Sequence, residues 1–318
     1  MKPDSSTASF TEKALTIFRY QVKHNTVYAQ YISGINCNVE NVKSLADIPF
    51  LPISFFKTHT VVTGTDAIEK TFYSSGTTGL TRSKHHITDI KVYEKSFRDG
   101  FSHFFGNIED YTILALLPSY QEQENSSLVY MIQDLIRLSK KEASGFYLNN
   151  NEDLINTLLY LEQKKQKTIL IGVSYALLDL IEKHQFNLKH TLIMETGGMK
   201  GRQKELIKEA LHKLLKVGFG VSEIHSEYGM TELLSQAYSI GTFFRTPPWM
   251  KVLIREVEDP LSLLPVGKSG GINIIDLNNI NSCSFIATQD LGKTHPDGSF
   301  EVLGRFDHSD IRGCNLML

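Results

Sequence analysis

Between Tyr111 and Leu215 short apolar runs alternate with longer amphipathic ones, and this alternation restricts the fold more than any other feature of the chain. Tyr111–Leu117 is a continuous apolar run closed by Pro118, the texture of a strand covered on both faces. Ser127–Ser139 then reads as a helix, and Asn151–Lys165 as another, with an Asn cap and an apolar stripe at Leu154, Ile155, Leu158 and Leu159. Thr168–Gly172 is a short strand, Ser174–His184 a capped helix, Thr191–Met194 a strand and Arg202–Leu215 a helix. Such an order predicts an α/β fold with a mostly parallel sheet flanked by helices.

Both flanks differ in texture. Upstream, Leu15, Phe18, Val22 and Tyr28 recur at helical spacing within Thr11–Tyr31, with Ser9 as the cap. Two prolines within Asp47–Ile53 enforce extended backbone. Asp89–Phe105 is amphipathic, with Val92, Phe97, Phe101 and Phe104 on one side. Downstream of Arg245, β-favouring runs at Lys251–Arg255, Gly271–Ile275, Ser284–Thr288 and Ser299–Leu303 are separated by turn residues, which predicts a small β-rich subdomain.

Composition excludes several classes. With 41% hydrophobic and 21% charged residues the chain is ordinary globular protein, and a net charge of −2 gives no global attraction to nucleic acid. Cys37, Cys283 and Cys314 are odd in number and form no Cys-x-x-Cys pair, so neither a disulfide framework nor a zinc knuckle is expected. The polar N-terminus lacks the apolar core of a signal peptide, and the run Ile113–Leu117 is too short to span a bilayer. A soluble, cytoplasmic protein is expected.

The strongest chemical signal is Thr71-Phe-Tyr-Ser-Ser-Gly-Thr-Thr-Gly79. Gly76 and Gly79 let consecutive N–H groups converge on an anion, while Ser74, Ser75, Thr77 and Thr78 add hydroxyl donors. Lys84 follows as a point charge suited to a phosphate. No Gly-Lys-Ser/Thr follows, so this is not a Walker A loop; the competing reading is a flexible turn.

Four more segments carry chemistry in chain order. Glu195-Thr-Gly-Gly-Met-Lys200 follows a strand, and Gly197 and Gly198 let a flat ring lie on backbone, or simply make a tight turn. In Ser226-Glu-Tyr-Gly-Met-Thr-Glu232, Thr231 is placed to cap a helix running through Leu233, Leu234 and Ala237. Glu232 is then either a partner of that helix's dipole or an oxygen ligand for Mg2+ on substrate phosphates. Asp290 is suited to a ribose diol and Arg305 to a phosphate or carboxylate, with a β-turn and a surface cation as the plain alternatives. His59, His85, His86 and His225 lack the convergent spacing of a zinc site, although His85 and His86 adjoin the hydroxyl-rich loop and His225 could line an acyl pocket. Phe97, Phe101, Phe104 and Phe105 read as core, with an acyl tunnel as the alternative.

Together, in this order, the five segments resemble the adenylate-forming superfamily of acyl-CoA synthetases, peptide-synthetase adenylation domains and luciferases. Ile48-Pro-Phe-Leu-Pro-Ile-Ser-Phe-Phe-Lys57, Leu117-Pro-Ser-Tyr120 with Ser126-Ser-Leu128, and Asp310-Ile-Arg-Gly-Cys314 are similar to the acyl-protein synthetases of bacterial bioluminescence. The resemblance implies a large adenylation-type domain plus a β-rich subdomain, divided as 1–70 (helical and extended), 71–245 (nucleotide-binding body) and 246–318 (β-rich, ending at the hinge). The C-terminal lid domain usual in the superfamily, with its adenylation lysine, is expected to be absent, leaving Lys84 or Lys200 to supply that charge.

By the same resemblance, Ser74 to Gly79 with Lys84 form the phosphate loop, and Gly197, Gly198, Tyr228 and Gly229 wall the adenine. Thr231 and Glu232 meet the α-phosphate and Mg2+, Asp290 the ribose, and Arg305 precedes the hinge. ATP and Mg2+ are the implied cofactors, a fatty or aromatic acid the substrate, and a carrier protein or reductase the acyl acceptor. Cys314, beside Arg312, is the proposed acylated thiol, whereas Cys37 and Cys283 are not expected to react. Two other readings stay open: an acyl- or aryl-CoA ligase completed by another chain, and a non-catalytic nucleotide-binding partner protein.

Overall fold

The computed structural model describes residues 7–75, 81–118, 123–197 and 206–306. The chain forms two compact units, Met1–Tyr93 with Glu232–Ser235 and Arg245–Leu318, and Glu94–Thr231 with Gln236–Phe244. The N-terminal and β-rich segments, read from sequence as separate regions, thus pack as one unit.

That unit opens with α1 (Thr7–His24) and α2 (Thr26–Gly34). One helix starting after Ser9 was expected here; α1 begins ahead of Ser9 and the path breaks at Asn25. Asn25 caps α2 by accepting the Tyr28 N–H at 2.9 Å, and its amide donates to the Ser282 carbonyl at 2.8 Å. A distant backbone group therefore decides where the helix stops, which local spacing does not encode. The proline-bearing stretch holds β1 (Leu51–Pro52), and after it come the one-turn α3 (Phe55–Thr58) and an antiparallel hairpin of β2 (Lys70–Tyr73) and β3 (Lys84–Ile87).

The second unit holds the alternating series. In chain order it contains most of α4 (Ile90–Phe105), then β4 (Thr112–Leu116), α5 (Ser127–Ser139), β5 (Gly145–Phe146), α6 (Asn151–Gln163), β6 (Thr168–Val173), α7 (Ser174–Lys183), β7 (Thr191–Thr196), α8 (Lys208–Phe219), β8 (His225–Tyr228) and β9 (Ala237–Ile240). Its strands run in the order β5-β4-β6-β7-β8-β9, parallel up to β8 and antiparallel at β9. All five residues of β4 are buried, as its unbroken apolar run requires. On one side Leu154, Leu158, Leu177, Leu180, Leu215 and Phe219 join Leu170 and Ile193 in a single core. α7 and α8 approach so closely that a methyl on Gly218 would lie 2.5 Å from Ile181 Cβ. Arg98 on α4 clamps α5 with a forked pair of bonds to Asp134, at 2.7 and 2.9 Å. Ser174 does not cap α7 as expected; it is the first helical residue, and its hydroxyl donates to Glu195 Oε2 at 3.2 Å.

Past β10 (Phe243–Arg245) the first unit resumes with an antiparallel meander of β11 (Met250–Arg255), β12 (Ser269–Asp276), β13 (Phe285–Thr294) and β14 (Phe300–Arg305). β1 pairs with β13 in parallel, Leu51 opposite Ile286. Phe18, Tyr28 and Phe50 surround Phe285 with ring centroids 6.2, 6.1 and 6.3 Å away. Gln21 donates to the carbonyls of Asn279 and Ile280, and its oxygen accepts the Ser284 N–H at 3.0 Å. These buried contacts explain why the N-terminal helices belong with the C-terminal strands. Among the described residues no helix is long and apolar enough to cross a membrane.

Candidate active site

In the first unit the β2–β3 hairpin delivers the hydroxyl-rich loop. Tyr73 and Lys84 are its last pair; beyond them the Ser74 N–H donates to the Ser83 carbonyl at 3.1 Å and the Ser83 N–H to Ser74 Oγ at 3.0 Å. Both ends of the loop are thereby pinned, while Gly76, Thr77, Thr78 and Gly79 lie outside the described residues, as do Gly198, Lys200 and Cys314. Ser83, only 3% exposed, donates its hydroxyl to the carboxyl of Glu232, itself 4% exposed. The base of the loop and the acidic residue singled out from sequence are therefore in direct contact.

The helix expected after Thr231 does not form. Thr231 and Glu232 lie in a turn, Leu233 and Leu234 are buried, and Ala237 opens β9. Asp276 captures the backbone donors that a helix would use, accepting the N–H groups of Leu234 and Ser235 at 2.9 Å each and the Ser235 hydroxyl at 2.7 Å. Asn279 Nδ2 donates to the Glu232 carbonyl at 2.8 Å. With its backbone groups engaged elsewhere the segment has no reason to coil, and Glu232 is not a helix-dipole partner. Burial pushes the Glu232 carboxyl up from its ordinary range; the Ser83 bond, its own N–H and the charges of Arg305 and Lys57 pull the other way.

Asp290 and Arg305 face each other across β13 and β14, with Arg305 Nε donating to Asp290 Oδ1 at 3.1 Å. Arg305 remains 67% exposed while its charge also reaches Glu232, so one guanidinium serves two carboxylates. Lys84 is exposed at the start of β3. His85, expected beside phosphates, is fully buried instead; Nε2 lies 3.1 Å from Asn279 Oδ1 and the ring stands edge-on to Phe56. Alternation along β3 turns it inward, and Asn279, which also holds Glu232, gives it a partner. His86 bonds to Thr71 Oγ1 at 2.9 Å.

In the second unit the remaining candidates gather at the carboxyl ends of β7 and β8, the end of an α/β sheet where ligands enter. Glu195 pairs with Ser226 and Thr196 with Glu227, so Gly197 follows β7 beside Tyr228 and Gly229 at the end of β8. Tyr228 is buried with its ring 5.7 Å from Phe244. Behind the strands, burial works against the charge of Glu195, but His212 and Ser226 bond to it and Lys208 adds positive charge, which together hold its carboxyl below the usual range. Phe97 and Phe101 are core, as the plain reading had it. His225 packs against Phe105, and burial lowers its affinity for a proton.

Glu227 is the opposite case: burial and the neighbouring Glu195 charge push it up to about 8. Its folded value lies above the ordinary 4.5, so the stability tied to the neutral form is full below that value and is lost as pH rises through about 8. Glu227→Gln, which cannot ionise, is therefore expected to gain stability relative to the parent between pH 5 and 8. Urea unfolding at both pH values checks this, and an unchanged difference would refute it.

A family model described as acyl-protein synthetase, LuxE, matches residues 3–318. The chain belongs to this family. A long-chain-fatty-acid–luciferin-component ligase of Vibrio harveyi is 26% identical over 95% of this chain and 85% of its own. In fold the LuxE-family chain is similar to 2-hydroxyisobutyryl-CoA ligase in complex with 2-HIB-AMP, with a TM-score of 0.68 at 11% identity over 96% of this chain and 69% of that one. It is also similar to ATP-bound MatB from Rhodopseudomonas palustris, with a TM-score of 0.57 at 18% identity over 76% of this chain. It spans about half of the MatB chain, 49%. The architecture is that of adenylate-forming ligases, and the chain is an AMP-forming acyl-protein synthetase, which activates an acyl group with ATP.

Sequence reasoning missed several residues of this candidate site. Ser83 and Asn279 hold Glu232, and Lys57 adds charge to it, yet none lies in a hydroxyl- or glycine-rich run. Glu195 and His212 are joined across 3.6 Å only by the meeting of β7 with α8, a pairing that spacing along the chain does not announce. Glu227 carried no signal either: alternation along β8 sends it to the face opposite the buried Ser226 and Tyr228, where an acid is unremarkable.

Proposed function

We propose that the chain joins a fatty or aromatic carboxylic acid to AMP and then passes the acyl group to a thiol, that of Cys314 or of a partner protein. The contact between Ser83 and Glu232 carries the reading, because it sets the phosphate-loop base beside a buried carboxylate with Arg305 and Lys57 in range. In the first step a carboxylate oxygen of the acid attacks the α-phosphorus of ATP and the bond to pyrophosphate breaks. In the second a thiolate attacks the acyl carbon and AMP leaves. The first step asks the protein for positioning and charge neutralisation rather than covalent chemistry. Within the first unit, Ser74, Ser75, Lys84 and Arg305 would take the phosphates and Asp290 the ribose.

The residues fit Mg2+ carried in on the nucleotide. Glu232, a buried carboxyl in contact with the base of the loop, would be the protein's oxygen ligand for it. Bound there, Mg2+ would offset the phosphate charge. Glu232, raised by burial, is a carboxyl that gains from a nearby cation. The name of the Vibrio harveyi relative, a long-chain-fatty-acid–luciferin-component ligase, supports a long-chain fatty acid as the substrate; the acyl acceptor in this reading is a reductase or carrier protein.

The test is ATP–pyrophosphate exchange across a panel of fatty and aromatic acids, followed by mass spectrometry of the enzyme. Acid-dependent exchange and a hydroxylamine-labile adduct, lost in Cys314→Ser, are expected. Folded protein that binds ATP without exchange for any acid would leave a non-catalytic nucleotide-binding role. Thioester formation on free coenzyme A by the isolated chain would replace the protein acceptor with a CoA ligase reading.

A further inference from the structure

The second unit presents an under-satisfied polar patch where β7 and β8 end. Thr196 and Glu227 are register partners on neighbouring parallel strands, so their side chains share a face, opposite the one on which Glu195 meets Ser226 and His212. Thr196 Oγ1 is buried and has no hydrogen-bond partner among the described residues. Glu227 is partly exposed, and its carboxyl folds back over the strand end, where a methyl on Gly229 would lie 2.4 Å from Oε1. The rest of this face is aromatic: Tyr238 is the cross-strand partner of Glu227, His225 lies two residues before it, and Phe105 packs against both rings at 5.1 and 6.1 Å. A buried hydroxyl without a partner, with a carboxyl beside it in an aromatic wall at the ligand end of a sheet, invites a polar group from a ligand, because a buried hydroxyl left unpaired is unfavourable.

We infer that Glu227, supported by Thr196, forms a subsite for a neutral hydroxyl-bearing part of the acid being activated, which narrows the substrate class within the acyl-activating reading and rests on it. The charge of Glu195, sustained by His212, Ser226 and Lys208, disfavours a second anion beside it, so Glu227 meets the ligand as a neutral acid. In that form it both donates and accepts, matching a hydroxyl group. A carboxylate on the same part of the ligand would be repelled, and a bare hydrocarbon would satisfy neither side chain.

The experiment measures exchange kcat/KM for acids of one chain length: unsubstituted, hydroxyl-substituted at successive positions, and amino-substituted. The parent is expected to favour one hydroxy acid over the unsubstituted acid by about tenfold or more, as a site built for a hydroxyl does. Glu227→Gln, neutral and similar in shape, keeps that preference within about threefold, whereas Glu227→Leu erases it mainly through KM. Thr196→Val reduces the preference in the same direction and carries the test should the Leu variant not fold. The subsite is overturned if the unsubstituted acid is preferred throughout with ratios unmoved by the variants. It is equally overturned if the amino acid wins, since Glu227 would then be a counter-ion. Absence of exchange with every acid strikes the parent reading instead, so the two failures are distinct.

Discussion

Glu232→Ala is expected to lower ATP–pyrophosphate exchange by about 10²- to 10³-fold, the loss typical when a preorganised electrostatic group leaves an active site. Fold stability should move little, within about 1 kcal/mol, because the substitution also removes a carboxyl that burial already disfavours. Glu232→Gln separates charge from shape. Its amide oxygen still accepts the Ser83 hydroxyl, yet it offers a cation no negative charge, so exchange should stay low and the apparent requirement for Mg2+ should rise. Exchange assays over a Mg2+ titration, with thermal melts of the same samples, check both parts. Activity within threefold of the parent in either variant would remove Glu232 from the catalytic machinery, and with it the pairing of loop and acid on which the proposed chemistry stands.

The sequence made the body of the fold legible because its signals there are local. β4 reads as a buried strand from its own apolar run, and α5 reads at its observed bounds from apolar spacing. Failures came where distant groups decide. Asn25 breaks the first helical stretch because its amide finds the Ser282 carbonyl, more than two hundred residues away. The segment after Thr231 looks helical on local grounds but follows the dictates of Asp276 and Asn279.

The same division runs through the site. Hydroxyls and glycines gathered in one run point to an anion loop, and the structure sets the base of that run against Glu232. Ser83 escaped notice because one serine between Arg82 and Lys84 carries no pattern, and only the hairpin register turns it inward. His85 misled for the same reason reversed. Adjacency to the loop suggested a phosphate contact, while the alternation of β3 assigns it to the core against Phe56 and Asn279. Residue type identified the chemistry; strand parity decided which side chains take part.

Asp276 is the clearest case of a residue whose importance only the folded chain reveals. Fully buried at the end of β12, it accepts from the Leu234 and Ser235 N–H groups, the Ser235 hydroxyl and the Asn278 N–H at 3.2 Å. Asp276→Ala strands these donors away from water and is expected to cost about 3–5 kcal/mol, a large part of the net stability of a domain. The thermal midpoint should fall by on the order of 10 °C. Asp276→Asn keeps one acceptor but turns an amide donor toward donors, so it should lie between parent and Ala. Because the captured residues follow Glu232 directly, exchange should fall as well, and a double-mutant cycle separates the two effects. In a Glu232→Ala background the stability cost of Asp276→Ala should persist while its cost to exchange disappears. A full additional loss of exchange in that background would mean that Asp276 serves catalysis by a route other than holding the Glu232 turn in place.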